Sequence, residues 1–308
     1  MDAVINIALP IFAIIAAGVI AARLGIFSAN DQRVLNSFVF KAAMPAALFG
    51  LTAGANAPTV TDARLGLAFL IGSFCSMALV YTSMQKFFRA SSGDASGHAL
   101  ASGLGNAIFI GIPIALSVDG WIRPFSVLIL AEGIFVIGFG SLLIAHATGG
   151  KADPFAVVAS TLKNPLIAAL LLGVFWSLTG MPFEGPAERF FQFFGRAAGP
   201  TALFAIGLFF ATHQFPNLRD IAGRVSLIVF AKMFVLPFIA LSTAYLLGIR
   251  DPDEIGALAL FVCVPSAVGA FIIASQHNAG QTEVAATALA STFVSLVTIS
   301  VVLTLFTG

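Results

Sequence analysis

The chain has 308 residues, of which 59% are apolar and only 9% are charged, and its formal net charge is +1. Soluble domains carry about 25% charged residues, so this composition excludes a soluble globular enzyme and a disordered chain. The balanced charge also excludes nucleic acid as a partner, because nucleic-acid binding needs a strongly basic face. The composition predicts an all-α integral membrane protein embedded in the lipid bilayer.

Charged residues punctuate the chain at intervals of about 20 residues, the length of a helix that crosses a bilayer. Six uncharged segments are predicted helices: 3–22, 65–85, 99–118, 164–183, 255–276 and 284–308. Four more apolar segments each hold one charge: 34–54 with Lys41, 124–145 with Glu132, 190–212 with Arg196, and 225–247 with Lys232. In chain order these are predicted helices 1 to 10, and they form one transmembrane domain over residues 1–308.

Lysine and arginine in the loops predict the orientation of the chain. With the N-terminus outside, the inner loops hold eight cations: Arg23, Arg33, Lys86, Arg89, Lys151, Lys163, Arg219 and Arg224. The outer loops then hold four: Arg64, Arg123, Arg189 and Arg250. We therefore expect a multi-pass protein of the cell (inner) membrane with the N-terminus and the C-terminus outside.

Residues 155 positions apart match one another along the chain. The matches are Pro10 with Pro165, Gly25 with Gly180, Pro45 with Pro200, and Lys41 with Arg196, each of these cations lying four residues before its proline. A unit of five helices is odd-numbered, so a second copy starts from the opposite side of the membrane. The matches predict two inverted repeats, 1–148 and 154–308, although proline and glycine are common in membrane helices in any case.

Predicted helices 4 and 9 each contain a proline in mid-span, Pro113 and Pro265. A proline removes a backbone donor, and the carbonyls and amides that it frees must line a polar cavity or contact protein. Inverted-repeat transporters place their substrate site near the midplane, at such interruptions. We expect both helices to break at these prolines and to cross there; two ordinary kinks are the alternative.

The chain resembles the auxin efflux carrier family, and the match runs in order along nearly its whole length. The residues that carry it are Leu35 to Val39 with Pro45 to Phe49, Asn106 with Gly111 to Pro113, Lys163 to Pro165 with Gly173 and Trp176 to Leu178, Ala205 to Phe209, and Val264 with Pro265. The long loop between helices 5 and 6 of the plant carriers is lacking, so the chain is similar to the short prokaryotic branch, which includes malonate-type carriers.

The resemblance implies the fold of sodium/proton antiporters and bile-acid symporters. Helices 1, 2, 6 and 7 would form a scaffold, helices 3–5 and 8–10 a mobile transport domain that moves as an elevator, and helices 4 and 9 would cross at their prolines. Asn106 matches a family asparagine that contacts the substrate carboxylate. The plant carriers also have an acidic residue in helix 3, but residues 65–85 contain none, so that support site is not carried over.

Ionisable residues within membrane spans mark transport pathways. Glu132 and Lys232 are candidates for coupling a proton or sodium ion to transport; a structural ion pair, or Lys232 reaching toward an interface, are the alternatives. Lys41 and Arg196 either attract an anion or anchor helix ends at the headgroups. The candidate substrate contacts are Asn106, Gly111, Pro113, Pro265 and Ser266, where Asn106 has an interhelical hydrogen bond as its alternative role.

The sequence predicts a secondary transporter of a small organic anion, malonate-like or auxin-like, without a cofactor. A membrane channel or a non-transporting carboxylate sensor on the same fold is the alternative. An enzyme is not expected, since no HExxH motif, no paired mid-span aspartates and no P-loop occur. Cys75 and Cys263 lie apart in apolar segments and indicate no metal site. The oligomeric state is left open, with a homodimer as one assembly.

Overall fold

The structure is a computed structural model that describes residues 9–54, 59–149, 159, 162–163, 165–212 and 218–307. Within those ranges every regular element is helical, and the β contact is an isolated bridge between two extended residues. A chain this apolar satisfies its backbone hydrogen bonds inside helices, because a bilayer offers them no other partner.

The chain is helical in each predicted segment, but several of these segments are divided into shorter helices. The first half of the chain forms α1 (Leu9–Arg23), α2 (Ala29–Phe38), α3 (Met44–Ala53), α4 (Val60–Phe88), α5 (Ser92–Gly103), α6 (Ile112–Ala115), α7 (Ile122–Ala131) and α8 (Gly138–Ala147). The second half forms α9 (Pro165–Leu178), α10 (Pro186–Gly195), α11 (Ala198–Thr212), α12 (Leu218–Phe230), α13 (Leu236–Leu246), α14 (Pro252–Cys263), α15 (Val268–Gln276) and α16 (Gln281–Thr307).

Five helical runs are long and apolar enough to span a membrane: Ala29–Ala53, Val60–Phe88, Ile122–Ala147, Ile221–Leu246 and Gln281–Thr307. Shorter apolar helices account for much of the rest. The prediction of one continuous helix over 190–212 is wrong, because α10 and α11 meet at a turn that contains Arg196. At that turn a Cβ on Gly195 would lie 2.7 Å from Ala47 Cα, so α10 ends in close contact with α3.

Four short π-helical segments occur in the described chain: π1 (Val39–Ala43), π2 (Ala107–Gly111), π3 (Glu132–Ile137) and π4 (Ala231–Val235). Three join consecutive α-helices directly, and π2 begins after a break and continues into α6. Three of the four segments end two residues before a proline: Pro45, Pro113 and Pro237. The residue before each proline donates to a carbonyl five residues back: Met44 to Val39, Ile112 to Ala107, and Leu236 to Ala231. The wider turn accommodates the missing proline N–H without ending the helix.

The helices pack into two groups. In the first, α1 packs on α11, and α9 and α10 pack on α3. The second contains α4–α8 and α12–α16, with α4 against α5 and α13, and α16 against α12, α14 and α15. The two groups meet where α11 contacts π2 and α6, and where α3 contacts α7. We call them the panel group (α1–α3, α9–α11) and the core group (α4–α8, α12–α16).

Glycines let the panel helices approach closely. A Cβ on Gly207 of α11 would overlap Ile15 O and lie 2.9 Å from Gly18 Cα, and a Cβ on Gly173 of α9 would overlap Thr52 Oγ1. Small residues at such contacts are the usual basis of helix association in membranes, where packing replaces the hydrophobic driving force. In both the α1–α11 and the α9–α3 contact, a glycine therefore allows the facing helix to approach closely.

Candidate functional site: a crossing of two broken helices

Two helices of the core group end abruptly at the same place. After Gly103 and after Cys263 the chain becomes extended, and Gly105 pairs with Ser266 in an antiparallel bridge. Asn106 N donates to Pro265 O at 2.7 Å, and Ala267 N donates to Leu104 O at 3.1 Å. The two hydrogen bonds are related by a local two-fold axis through the bridge, as in any antiparallel pair.

A side chain at position 105 would crowd its neighbours. A Cβ there would lie 2.8 Å from Val264 Cγ2, and 3.4 Å from both Glu132 Oε1 and Lys232 Nζ. The backbone of Gly105 therefore lies close to both Glu132 and Lys232, two ionisable side chains of the core group. Sequence reasoning missed this residue, because a glycine within an apolar segment gives no signal of what surrounds it.

The carbonyl ends of the two broken helices are satisfied by side chains. At the end of α5, Ser73 donates to Gly103 O, Ser76 to Ser102 O, and Ser266 to Ala101 O, at 3.2, 3.2 and 2.7 Å. At the end of α14, Lys232 Nζ donates to Val262 O at 3.2 Å and Thr298 to Cys263 O at 3.3 Å. These five donors occupy acceptors that a helix C-terminus would otherwise leave free.

The helix segments that resume after the crossing have no such caps. Asn106 is the N-cap of π2, and Ala267 is the N-cap of α15, and neither position makes a side-chain cap hydrogen bond. The first N–H groups of a helix lack intrahelical acceptors and carry a partial positive charge. The crossing therefore presents two positive helix ends, while its negative ends are already neutralised by protein donors.

Glu132 and Lys232 lie next to the bridge at Gly105 and are almost fully buried, with 5% and 1% of their surfaces exposed. Glu132 Oε1 accepts a hydrogen bond of 2.8 Å from Gly105 N, and Lys232 Nζ bonds to Val262 O. The ion pairs of the described residues do not include these two side chains. Lys232 points into the core group and does not reach toward an interface.

Three of the five predicted substrate contacts lie in the crossing itself. Asn106 is 5% exposed, and within the described ranges its side-chain amide has no hydrogen-bond partner. Ser266 is buried; its N donates to Ser291 Oγ at 3.0 Å, and its hydroxyl proton is already used by Ala101 O. Pro265 contributes its carbonyl to the bridge.

The other predicted residues lie away from the bridge. The expected break of helix 4 at Pro113 is wrong: the break is at Leu104 to Asn106, and Pro113 lies in α6 against Gly199 of α11. Its missing N–H is accommodated by π2, so it does not open the helix. Gly111 lies in π2, where its Cα packs against the ring of Phe125. Lys41 and Arg196 are exposed positions of the panel group.

Two ion pairs join helices of the core group. Asp62 near the start of α4 pairs with Arg123 at the start of α7, at 2.9 Å. Glu283 at the start of α16 pairs with Arg224 of α12 at 2.8 Å, and His98 Nε2 lies 3.7 Å from its second oxygen. In the first pair the carboxylate, Asp62, precedes its arginine in the chain, and in the second pair the carboxylate, Glu283, follows its arginine. In the part of the chain that the structure describes, no cluster of three metal-ligating residues occurs.

Comparison with known proteins identifies the family. A family described as "Membrane transport protein" matches residues 3–149 and 154–303. The chain belongs to this family. The predicted membership of the auxin efflux carrier family is thereby confirmed, and the protein is a multi-pass membrane protein of a transport family.

Two relatives extend the comparison over most of the chain. A protein of Rhizobium meliloti (strain 1021) named "Putative malonate transporter" is 26% identical over 306 residues, which cover 97% of this chain and 95% of the relative. The "Uncharacterized transporter YfdV" of Escherichia coli (strain K12) is 26% identical over 278 residues, covering 88% and 87%. Both names denote transporters, and because the first alignment covers 97% of this chain, the similarity extends through the crossing and through both helix groups.

Proposed function

We propose that this protein is a secondary transporter that carries a small organic anion through the crossing of α5 and α14. The observation that carries the proposal is the asymmetry of the helix ends there. Five side-chain donors cap the carbonyl ends, whereas the amide ends at Asn106 and Ala267 have no side-chain cap. An anion is the ligand that uncapped helix N-termini bind best.

In this proposal Asn106 contacts the substrate carboxylate through its unpaired side-chain amide, and Lys232 supplies a positive charge behind the bridge. Glu132 takes up the coupling proton, or helps to hold a sodium ion, because it is the buried carboxylate next to the crossing. A proton on Glu132 changes the charge beside the bound anion, and this links ion movement to substrate movement.

An inverted repeat accounts for the paired features of the structure. Gly18 and Gly173 are 155 residues apart, as are Thr52 and Gly207, and each pair occupies equivalent close contacts between panel helices. In the core group, Ser73 and Lys232 are 159 residues apart and each donates to a carbonyl at the end of a broken helix. We infer ten membrane helices in two inverted repeats with the crossing on the two-fold axis.

The two helix groups suit an elevator mechanism. We propose that the panel group is the scaffold, that the core group carries the substrate site, and that the core group slides along the panel to expose the site to each side in turn. The contacts of α11 with π2 and α6 then form part of the sliding surface. The protein would lie in the inner membrane with both termini outside, as its loop cations predict.

The substrate class is a small mono- or dicarboxylate, and malonate is the first to test because a relative carries that name. Purified protein is screened by thermal unfolding against small carboxylates, with and without sodium, because a ligand that binds the native state stabilises it. The stabilising carboxylate is then offered to proteoliposomes. Saturable, counter-substrate-stimulated uptake supports the proposal. Non-saturable flux would indicate a channel, and binding without flux a sensor.

A further inference from the structure

A cavity lies in the seam between the two helix groups, away from the crossing. The cavity has a volume of about 530 Å³ and is bounded by α3 and α9 of the panel group and by α4, α7 and π3 of the core group. Ligand pockets typically have volumes of about 300–1,000 Å³. Because α7 and π3 line it from Arg123 to Phe135, it extends roughly 18 Å along the helices.

Most of the cavity wall is hydrocarbon. Gly66, Leu67 and Leu70 line one side, and Leu130, Ile134 and Phe135 line the other. Leu67, Ile134 and Phe135 are also exposed at the protein surface. In a helix that spans a membrane, such residues contact lipid, so the cavity opens sideways toward the acyl chains of the bilayer.

Charge is concentrated at one end of the cavity. Arg123 and Asp62 lie there, within the first turns of α7 and α4, which is the level at which lipid headgroups meet a spanning helix. The guanidinium of Arg123 makes one hydrogen bond, to Asp62 Oδ2. Arginine has five N–H donors, so within the described chain most of them are free for a second acceptor.

The surroundings of Arg123 are acidic overall. Burial and the nearby carboxylates of Asp251 and Asp62 raise the pKa of Glu254, and Arg123 lies close enough to lower it. A lone anion at Arg123 would be repelled by the carboxylates of Asp62 and Glu254, whereas a ligand with an anionic and a cationic group would be attracted by both kinds of charge.

We propose that this cavity is a binding site for an aminophospholipid of the phosphatidylethanolamine type, with one acyl chain in the apolar seam, its phosphate on Arg123, and its ammonium facing Asp62, with Glu254 nearby. The primary ammonium fits carboxylates as a hydrogen-bond donor, which a quaternary choline cannot be. The site is separate from the crossing, so it does not depend on which substrate the protein carries.

The test measures lipid retention by native mass spectrometry on the full-length protein in detergent. Phosphatidylethanolamine, phosphatidylcholine and phosphatidylglycerol with identical acyl chains are offered in equal amounts. We expect ethanolamine lipid to be retained in preference to both others. Arg123→Gln should lower its retention by about tenfold, the loss of a charge-assisted hydrogen bond, and Arg123→Lys should restore part of it. Glu254→Gln should reduce only the preference for ethanolamine over choline.

A matched pair of variants tests whether the lipid occupies this cavity. Ala63 of α4 lines it, and Ala78 on the same helix lines a separate apolar cavity of about 540 Å³ with no charged residue in its wall. Ala63→Phe should abolish preferential retention, and Ala78→Phe should leave it unchanged, with thermal unfolding and gel filtration confirming that both fold. Equal retention of the three lipids by the unmodified protein, preference for the glycerol lipid, or equal loss in both phenylalanine variants would overturn the proposal.

Discussion

Two backbone amides at the crossing donate hydrogen bonds to side chains, one to an ionisable carboxylate and the other to a neutral hydroxyl. Gly105 N donates to the carboxylate of Glu132 at 2.8 Å, and Ser266 N donates to the hydroxyl of Ser291 at 3.0 Å. The bridge places Gly105 and Ser266 opposite each other, so Glu132 and Ser291 occupy corresponding positions around it. Only one of the two can gain or lose a proton, and the site is therefore symmetric in shape and asymmetric in charge.

Replacement of Glu132 by glutamine should separate the structural and coupling roles of this side chain. The glutamine oxygen can still accept from Gly105 N, so Glu132→Gln should fold, but it cannot take up a proton and should flatten the pH dependence of carboxylate uptake in proteoliposomes. Ser291→Ala is the control: it leaves Ser266 N unpaired and should lower stability by about 1–3 kcal/mol while the pH profile is kept. An unaltered profile in Glu132→Gln would assign the residue a structural role.

Substitutions of Asn106 should act on substrate affinity and not on the fold, because the crossing uses its backbone and not its side chain. Asn106→Ala should weaken carboxylate binding by about 1–3 kcal/mol through loss of the amide donor. Asn106→Asp is nearly the same size and adds a negative charge, so it should weaken binding further. Isothermal titration of both variants measures this, and equal affinity in all three proteins would remove Asn106 from the site.

At the scale of helices and turns, the location of the break in helix 4 could not be read from the sequence. Proline at 113 was the expected cause, yet the i to i−5 bond from Ile112 to Ala107 absorbs its missing donor. The break instead lies at Gly105, where two chains remote in sequence exchange backbone hydrogen bonds. Such a bond depends on the partner helix, and no local pattern encodes it. In helix 9 proline and break coincide, so the expectation succeeded there.

The close contact between α1 and α11 gives an element-scale prediction. Gly207→Ala places a methyl group against Ile15 O and Gly18 Cα, and we expect it to lower stability by about 1–3 kcal/mol, the usual effect of overpacking. Gly138→Ala in α8 is the matched control, because a Cβ there meets nothing within 4 Å. Thermal unfolding in detergent compares the two variants. Similar unfolding temperatures would show that α1 and α11 accommodate the added methyl group without loss of stability.

At the scale of the whole molecule, composition and charge spacing were enough to predict an all-helical membrane protein, since a bilayer fixes the length and polarity of its helices. The grouping into panel and core rested on resemblance to the auxin efflux carriers. The ion pairs Asp62–Arg123 and Glu283–Arg224 were not predicted, although each residue was visible at a helix end. Their partners lie about 60 residues away in sequence, and charge patterning identifies only neighbours within one helix.

If the proposed inverted repeat is correct, Lys41 and Arg196 would act on transport from opposite sides of the membrane. Both are exposed, and each lies four residues before a proline of the panel group. In an inverted repeat equivalent residues face opposite vestibules, so one cation would meet the substrate in the inward-open state and the other in the outward-open state. At an effective dielectric of about 20, a single charge attracts an anion 8 Å away by roughly 2 kcal/mol, and water and salt in a vestibule reduce this.

We therefore expect Lys41→Gln and Arg196→Gln each to raise the apparent KM from one side only, by roughly 1 kcal/mol or about fivefold. The effect should shrink at high ionic strength, because salt screens exposed charges. Sided flux measurements in vesicles of uniform orientation give both values, and Lys41→Arg, which keeps the charge, is the control. If both glutamine variants leave KM unchanged, or raise it equally from both sides, the two cations serve as headgroup anchors, and the repeat does not use them to attract substrate.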